Sequence, residues 1–209
     1  MKPLHHSERF DLRMRPQPFR HDLLKMLKEK PADKYRVLDI GAGPLSTLGN
    51  VCSEVEIELV PVDLLAKSWD KLLDELNIEP PVRTIYGEGE NLVEQFGENS
   101  FDLVYSENAI DHMRDPVRVL YEMMKVVKPG GYVRFQVFEN EGYLSGYKDL
   151  HQWNFIIREG KLVLWVEEGE GAKCINMYGG WVGHDIECWN MKSSRGLVRS
   201  INVKIRKAE

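Results

Sequence analysis

Hydrophobic positions along the chain alternate between a pattern typical of helices and one typical of short buried strands. The first helical pattern spans residues 17–30 and ends at Pro31, because proline disfavours helix at the residue before it. The strand-like runs are residues 35–40, 55–62, 82–86, 101–105 and 132–138, and the later helical patterns are residues 64–76, 90–96 and 116–127. Ser46 and Thr47 stand where a helix after the first strand would need an N-cap.

Strands that alternate with helices predict parallel strands joined by helical crossovers. The predicted fold class is therefore α/β. We expect a Rossmann-like, doubly wound, mostly parallel seven-stranded sheet with an antiparallel edge strand.

The alternation stops after Phe138. Residues 162–166 and 201–205 are further strand candidates without a helical pattern between them, and they predict a terminal antiparallel pair. The chain shows no repeat and no linker, so we expect one domain over residues 1–209. Residues 1–33 would form an N-terminal helical cap, and residues 139–160 an insertion.

Composition narrows the class of protein. Hydrophobic residues make up 43% of the 209 residues and charged residues 29%, which is typical of a folded domain. Neither a signal peptide nor a membrane span is evident, so a cytoplasmic enzyme is expected. Cys52, Cys174 and Cys188 are odd in number and far apart, which argues against disulfides and a cysteine-based zinc site, and no metal ligands are predicted.

The net charge of −5 is unevenly distributed. Residues 1–36 and 191–209 are both basic, so the middle of the chain is strongly acidic. An acidic centre argues against nucleic acid as a partner, and a small-molecule substrate is expected instead. The sequence does not indicate an oligomeric state.

A glycine turn follows the first strand. Gly41 and Gly43 allow a ligand to approach the backbone closely. A dinucleotide fingerprint would require glycine at Ser46. Asp39 would repel a pyrophosphate but suits a cationic ligand.

The second strand delivers Asp63 at its end. An acid at this position accepts hydrogen bonds from both hydroxyls of a ribose. The alternative is a carboxylate that caps the next helix.

Five segments together resemble the class I S-adenosylmethionine (SAM)-dependent methyltransferases, and most closely the small-molecule branch called methyltransferase type 11. The segments are residues 37–43, Asp63, residues 87–92, residues 101–112 and residues 126–131. The resemblance implies SAM as the cofactor, bound across the ends of strands one to four. It covers residues 34–138, and the last third of the chain has no matching motif.

The resemblance also implies roles for individual residues. Asp39, Gly41, Ala42 and Gly43 would surround the methionine part of SAM, and Asp63 would hold the ribose. Leu64 would lie beside the adenine, Glu88 would accept from its amino group, and Ser106, Glu107 and Asn108 would form the wall after strand four. Leu45 occupies the position of a third family glycine, so the contacts of residues 44–46 are not implied.

The expected reaction is in-line methyl transfer from a sulfonium to a nucleophile, which depends mainly on alignment. A hydroxyl acceptor needs a base, and His112 and His151 are the two candidates because imidazole accepts a proton near neutral pH. His112 would alternatively fix its loop through Asp111 or Asp115. The segment 141–154 is expected to form part of the acceptor pocket as a lid, with His151 and Gln152 as polar contacts.

The preferred function is methyl transfer to a small molecule, at an oxygen of a sugar or related metabolite. The alternatives are an NAD-linked oxidoreductase on a Rossmann-type fold and a non-catalytic SAM-binding domain. Nucleic-acid methylation is disfavoured because residues 106–109 lack the motif typical of that activity.

Overall fold

The computed structural model describes residues 12–168, 171–176, 184–192 and 198–209. The strands of these residues are β1 (Lys34–Ile40), β2 (Glu56–Asp63), β3 (Ile85–Tyr86), β4 (Phe101–Glu107), β5 (Val127–Phe138), β6 (Asn154–Arg158), β7 (Lys161–Glu168), β8 (Gly171–Asn176), β9 (Asp185–Lys192) and β10 (Arg199–Arg206). The helices are α1 (His21–Leu27), α2 (Ala66–Glu75), α3 (Leu92–Phe96), α4 (Pro116–Val126) and α5 (Glu141–Ser145). Short 3₁₀ turns cover Gly89–Asn91 and Ile110–His112. None of the helices within these ranges combines the length and apolar character required to cross a membrane.

The central sheet has seven strands in the order β3-β2-β1-β4-β5-β10-β9. The first five strands in this order pair in parallel, whereas β10 is antiparallel to both β5 and β9. The prediction of a mostly parallel, seven-stranded, Rossmann-like sheet with its antiparallel strand on one side is therefore confirmed. Parallel pairing brings the carboxyl ends of β1, β2 and β4 to one edge, where ligands bind in such sheets.

Apolar side chains cover both faces of the sheet. The helix α4 packs against one face, together with side chains of β6 and β7. It begins where its sequence indicates, with Pro116 in the first turn and Asp115 accepting a hydrogen bond from Arg118 N at 3.0 Å. The helix α1 packs against the opposite face through Leu23, Leu24 and Leu27.

The expected helix after β1 does not form. The backbone of this segment bonds instead to the residues before α1: Phe19 N donates to Val51 O and Arg20 N donates to Leu48 O, each at 2.8 Å. These tertiary bonds replace the hydrogen bonds that a helix would make. Ser46 is therefore not an N-cap, and its hydroxyl donates to Asp39.

The predicted terminal antiparallel pair is also wrong. The strand β7 belongs to a separate three-stranded sheet, β6-β7-β8, whereas β10 pairs with β5 and β9. A two-residue turn joins β6 to β7, and both of its residues, Glu159 and Gly160, have positive φ values of 51° and 72°. Such a turn matches the twist of a hairpin, so local pairing prevails over pairing with the end of the chain.

Candidate active site

The two glycines of the turn after β1 have different environments. Both have positive φ, 68° at Gly41 and 65° at Gly43. A Cβ at Gly41 would lie 2.3 Å from the Cβ of Ala109, whereas a Cβ at Gly43 would meet nothing within 4 Å. Glycine at position 41 is thus required by the loop after β4, and the space beside Gly43 is open to a ligand.

Three donors hold the carboxylate of Asp63 at the end of β2. Oδ1 accepts from Leu65 N at 2.8 Å and from Trp69 Nε1 at 3.2 Å, and Oδ2 accepts from Gly43 N at 3.0 Å. The residue is not a helix N-cap, since α2 begins at Ala66 with Leu65 before it. The carboxylate therefore links the glycine turn to the end of β2 and keeps a fixed orientation at the sheet edge.

Asp39 is a buried carboxyl beneath the same turn. Its Oδ2 accepts a hydrogen bond of 2.6 Å from the Ser46 hydroxyl. Burial raises the pKa of Asp39 to about 7, and the carboxylate of Glu107 adds to the rise, while the Ser46 hydroxyl and the charge of Arg20 oppose it. A cation bound nearby would favour the ionised form, which fits a positively charged ligand.

The predicted wall residue Glu107, at the end of β4, belongs to a second polar group whose contacts were not predicted from the sequence. Glu107 Oε2 accepts from Tyr105 Oη at 2.9 Å, Thr47 Oγ1 at 3.3 Å and Arg20 Nη1 at 3.5 Å. Burial, followed by the Glu107 charge, raises the pKa of Tyr105, so the phenol stays a donor. No local pattern singles out Arg20, which reaches β4 only through the packing of α1. A cavity of about 440 Å³, bordered by residues 12–20 and the loop after β1, opens beside Glu107.

The predicted adenine contacts lie near the end of β3. The carboxylate of Glu88 accepts from Tyr86 Oη and, at 2.8 Å, from Asn91 Nδ2. Leu64, directly after β2, is 59% exposed. The structure thus provides an acid and an apolar surface on neighbouring strand ends.

Two predicted wall residues have distinct positions after β4. The hydroxyl of Ser106 is buried and donates to Ile40 O at 2.9 Å, so it joins β4 to β1. Asn108 has a positive φ of 52°. Its Oδ1 is buried, and this atom has no hydrogen-bond partner in the part of the chain that the structure describes. A buried acceptor without a partner suits a ligand that brings a donor.

The two histidines proposed as alternative bases meet on one carboxylate. Asp111 Oδ2 lies 3.2 Å from His112 Nε2 and 3.3 Å from His151 Nδ1, and the two rings are in edge-to-face contact at 4.2 Å between centroids. Glu141 is buried, and its Oε1 lies 3.9 Å from His151 Nδ1. These four residues are called here the acid–histidine cluster. The sequence proposed Asp111 only as an alternative partner of His112 and gave no sign that His151 shares it.

The insertion is tied to the loop after β4. Trp153 Nε1 donates to Met113 O at 3.1 Å, and Asn154 Oδ1 accepts from Tyr143 N at 2.7 Å. The Gln152 amide donates to two backbone carbonyls of its own loop, those of residues 147 and 149. Gln152 therefore supports the loop, whereas His151 and Glu141 are the residues of this segment that belong to the acid–histidine cluster.

The residues at this edge fit SAM. The ammonium, sulfonium and ribose groups of that cofactor suit the open space beside Gly43, the buried acid at Asp39, the oriented carboxylate of Asp63 and the buried oxygen of Asn108. The fold and this edge together are typical of the class I SAM-dependent methyltransferases.

Comparison with known families agrees. Residues 38–135 match the family model described as a methyltransferase domain of type 11. The predicted resemblance to this family is thus confirmed over that stretch, which is just under half of the chain.

Two curated relatives match over about half of this chain. Phosphoethanolamine N-methyltransferase 2 of Caenorhabditis elegans is 33% identical over 107 residues, which are 51% of this chain and 24% of the relative. A ubiquinone biosynthesis O-methyltransferase of Maricaulis maris is 31% identical over 109 residues, 49% of this chain and 40% of the relative. The chain therefore spans well under two thirds of the length of these relatives.

Solved structures share the fold over most of the chain. Phosphoethanolamine N-methyltransferase 2 of Haemonchus contortus, in complex with SAM, has a TM-score of 0.55 at 18% identity and is matched over 90% of this chain and 52% of its own. The trans-methyltransferase CalH, in complex with SAH, has a TM-score of 0.57 at 19% identity over 88% of this chain and 55% of its own. At such identities the likeness establishes the fold.

Proposed function

We propose that this protein transfers the methyl group of SAM to an oxygen of a small polar acceptor, such as a sugar or related metabolite, at the acid–histidine cluster. The observation that carries the proposal is the contact between the glycine turn and the loop after β4. A Cβ at Gly41 would lie 2.3 Å from Ala109 Cβ and 3.8 Å from Met113 Cε. Asp111 and His112 lie between these two residues in the chain, so the cluster is built beside the turn.

We assign SAM binding to ten residues at the carboxyl edge of the sheet: Asp39, Gly41, Ala42, Gly43, Asp63, Leu64, Glu88, Ser106, Glu107 and Asn108. When bound, SAM supplies a methyl group on a positively charged sulfonium. The chain's own task is to hold the acceptor oxygen in line and to exclude water.

His112 and His151 are proposed as the catalytic residues. Each imidazole has one ring nitrogen at Asp111 Oδ2. A carboxylate that receives one ring nitrogen fixes the ring and strengthens the other nitrogen as a proton acceptor. Asp111 is a positioning residue in this arrangement.

The charge of the cluster favours a hydroxyl acceptor over an anionic one. Asp111 and Glu141 are both buried. A phosphate or carboxylate brought beside two buried carboxylates would be repelled, whereas a hydroxyl donates to them. The named activities of the relatives include methylation at nitrogen, oxygen and carbon. The proposal of an oxygen acceptor is therefore based on the acid–histidine cluster and not on the relatives.

An amine acceptor is the second candidate, because buried carboxylates also attract a cation. The NAD-linked alternative is disfavoured. Nucleotide pyrophosphates bind at the N-terminus of the helix that follows the first strand. Residues 41–55, all of which the structure describes, contain no helix.

The test is an acceptor screen with purified protein and SAM, in which released S-adenosylhomocysteine is measured. Hydroxyl acceptors should be turned over, and His112→Ala should lower turnover by about 10²–10⁴ while SAM affinity stays unchanged. His21→Ala, which changes an exposed histidine at the start of α1, is the matched control. Turnover of amines alone would refute the oxygen assignment. SAM binding without turnover of any acceptor class would favour the non-catalytic alternative.

A further inference from the structure

The acid–histidine cluster joins side chains from three separate segments. Asp111 and His112 lie in the 3₁₀ turn after β4, Glu141 begins α5 within the insertion, and His151 lies further along the insertion. One ligand atom from each of Asp111, His112 and His151 lies within 4.8 Å of the others. Such convergence of nitrogen and oxygen atoms is typical of a metal site as well as of a hydrogen-bonded dyad.

The acid–histidine cluster contains more side chains than a hydrogen-bonded pair of one histidine and one carboxylate. Two imidazole nitrogens approach the same oxygen, Asp111 Oδ2, and a second buried carboxylate lies 3.9 Å from one of these nitrogens. Carboxylates that are removed from water are stabilised by nearby positive charge. One divalent ion between the oxygen and the two nitrogens would supply that charge.

The distances suit an ion of this kind. Ligand atoms about 2.0–2.1 Å from a tetrahedral zinc ion lie roughly 3.3–3.4 Å apart. Asp111 Oδ2 lies 3.2 Å from His112 Nε2 and 3.3 Å from His151 Nδ1. Two of the three ligand–ligand distances therefore match those around such an ion, and the third, between the two imidazole nitrogens, is within 4.8 Å.

We propose that Asp111, His112 and His151 bind one divalent first-row metal ion such as Zn²⁺. Two imidazoles and a carboxylate favour this class of ion over Mg²⁺ or Ca²⁺, which prefer oxygen ligands. Glu141 Oε1 lies 3.9 Å from the same His151 nitrogen, so this second carboxylate would stand close to the ion. Three protein ligands leave a fourth position for the oxygen of a water or an acceptor, as in catalytic zinc sites.

Binding of the ion is independent of methyl transfer, but its role rests on the proposed function. An acceptor hydroxyl on the ion loses its proton to solvent more readily, because the ion lowers the pKa of a bound O–H group. The new O–CH₃ bond then forms as the S–CH₃ bond breaks, and the sulfonium becomes a neutral thioether. The proton-accepting role of the histidines described above belongs to the metal-free cluster, since ion and proton compete for the same nitrogens.

The test is binding of Zn²⁺ and Co²⁺ to the chelator-treated full chain. It is carried out in a His5→Ala/His6→Ala background, because adjacent histidines can themselves bind such ions. Calorimetry should give one equivalent of Zn²⁺, and Co²⁺ should produce the visible absorption of a four-coordinate site. Asp111→Asn and His151→Ala should weaken binding at least tenfold, whereas His21→Ala should leave it unchanged. Circular dichroism verifies that the variants are folded, and His151→Ala, at a partly exposed site in the insertion, keeps the test valid if Asp111→Asn unfolds.

Equal ion affinity in the wild type and in both cluster variants would overturn the site. SAM affinity, measured on the same samples, separates this failure from failure of the proposed function: SAM binding without ion binding removes only the metal site. Ion binding without SAM binding supports the metal site and refutes the proposed methyl transfer. If the ion binds but its removal does not change turnover, the site stands and its role in activating the acceptor is refuted.

Discussion

The buried carboxyl of Asp39 should make SAM affinity depend on pH near neutrality. Burial, with a contribution from Glu107, raises its pKa to about 7. The amino-acid end of SAM carries an ammonium group, and a cation beside a carboxyl stabilises the ionised form. We therefore expect SAM to bind tightly only when Asp39 is ionised.

The magnitude follows from the pKa. A group with a pKa of about 7 is roughly 9% ionised at pH 6 and roughly 76% ionised at pH 7.5, so SAM affinity should rise roughly eightfold over this interval. Binding at pH 6 should release nearly one proton. Calorimetry in two buffers with different ionisation enthalpies measures both quantities. In Asp39→Asn, which keeps the shape of the side chain, binding should be weaker and the pH dependence lost.

The same group links stability to pH in a defined direction. The unfolded chain loses the Asp39 proton near the ordinary pKa of 3.8, whereas the folded chain loses it near 7. The folded state then binds more protons over this interval, so Asp39 lowers stability progressively as pH rises from about 4 to 7. Asp39→Asn should raise the Tm at pH 8 and change it little at pH 4. A SAM affinity that is flat from pH 6 to pH 7.5, with equal Tm changes at both pH values, would refute the reasoning.

Three further substitutions test the geometry of the site. Asp63→Ala removes the two charge-assisted hydrogen bonds that we propose to the ribose, each worth about 1.5–3 kcal/mol, so SAM affinity measured by calorimetry should fall at least tenfold; unchanged affinity would remove this assignment. Gly41→Ala and Gly43→Ala carry the same positive-φ strain of about 1–2 kcal/mol, but only Gly41→Ala adds a steric clash. Gly41→Ala should therefore lower the Tm more, and equal Tm losses in the two variants would contradict the packing of Gly41 against Ala109. Trp153→Phe removes the hydrogen bond between insertion and β4 loop, worth about 0.5–1.5 kcal/mol, and should lower turnover with SAM affinity intact; a parallel loss of SAM affinity would contradict an acceptor role for the insertion.

The motif-bearing half of the chain was predictable from local pattern. Strand β1 is a run of apolar residues that ends in a glycine turn, and β2 ends in Asp63, so each element and its place at the sheet edge follow from short stretches of sequence. The helix α4 likewise carries its own start signal in Asp115 and Pro116. In these segments local preference and tertiary pairing agree, which is why a single sequence was sufficient.

Where local preference and tertiary pairing disagree, the tertiary structure determined the conformation. Ser46 and Thr47 resemble a helix start, yet residues 48–51 bond to residues 17–20 and no helix forms. The two-residue turn at Glu159 likewise determined the partner strand of β7. The periodicity of apolar residues does not predict such a turn.

The candidate active site depends most on tertiary structure. The sequence proposed His112 and His151 as alternatives, because nothing in a linear chain relates two side chains some 40 residues apart. The loop after β4 and the insertion after β5 leave the same edge of the sheet, and the hydrogen bond from Trp153 to Met113 O holds them together. Both imidazoles therefore contact Asp111 Oδ2. The sequence determined which groups are present, and the folded sheet determined that they meet on one carboxylate.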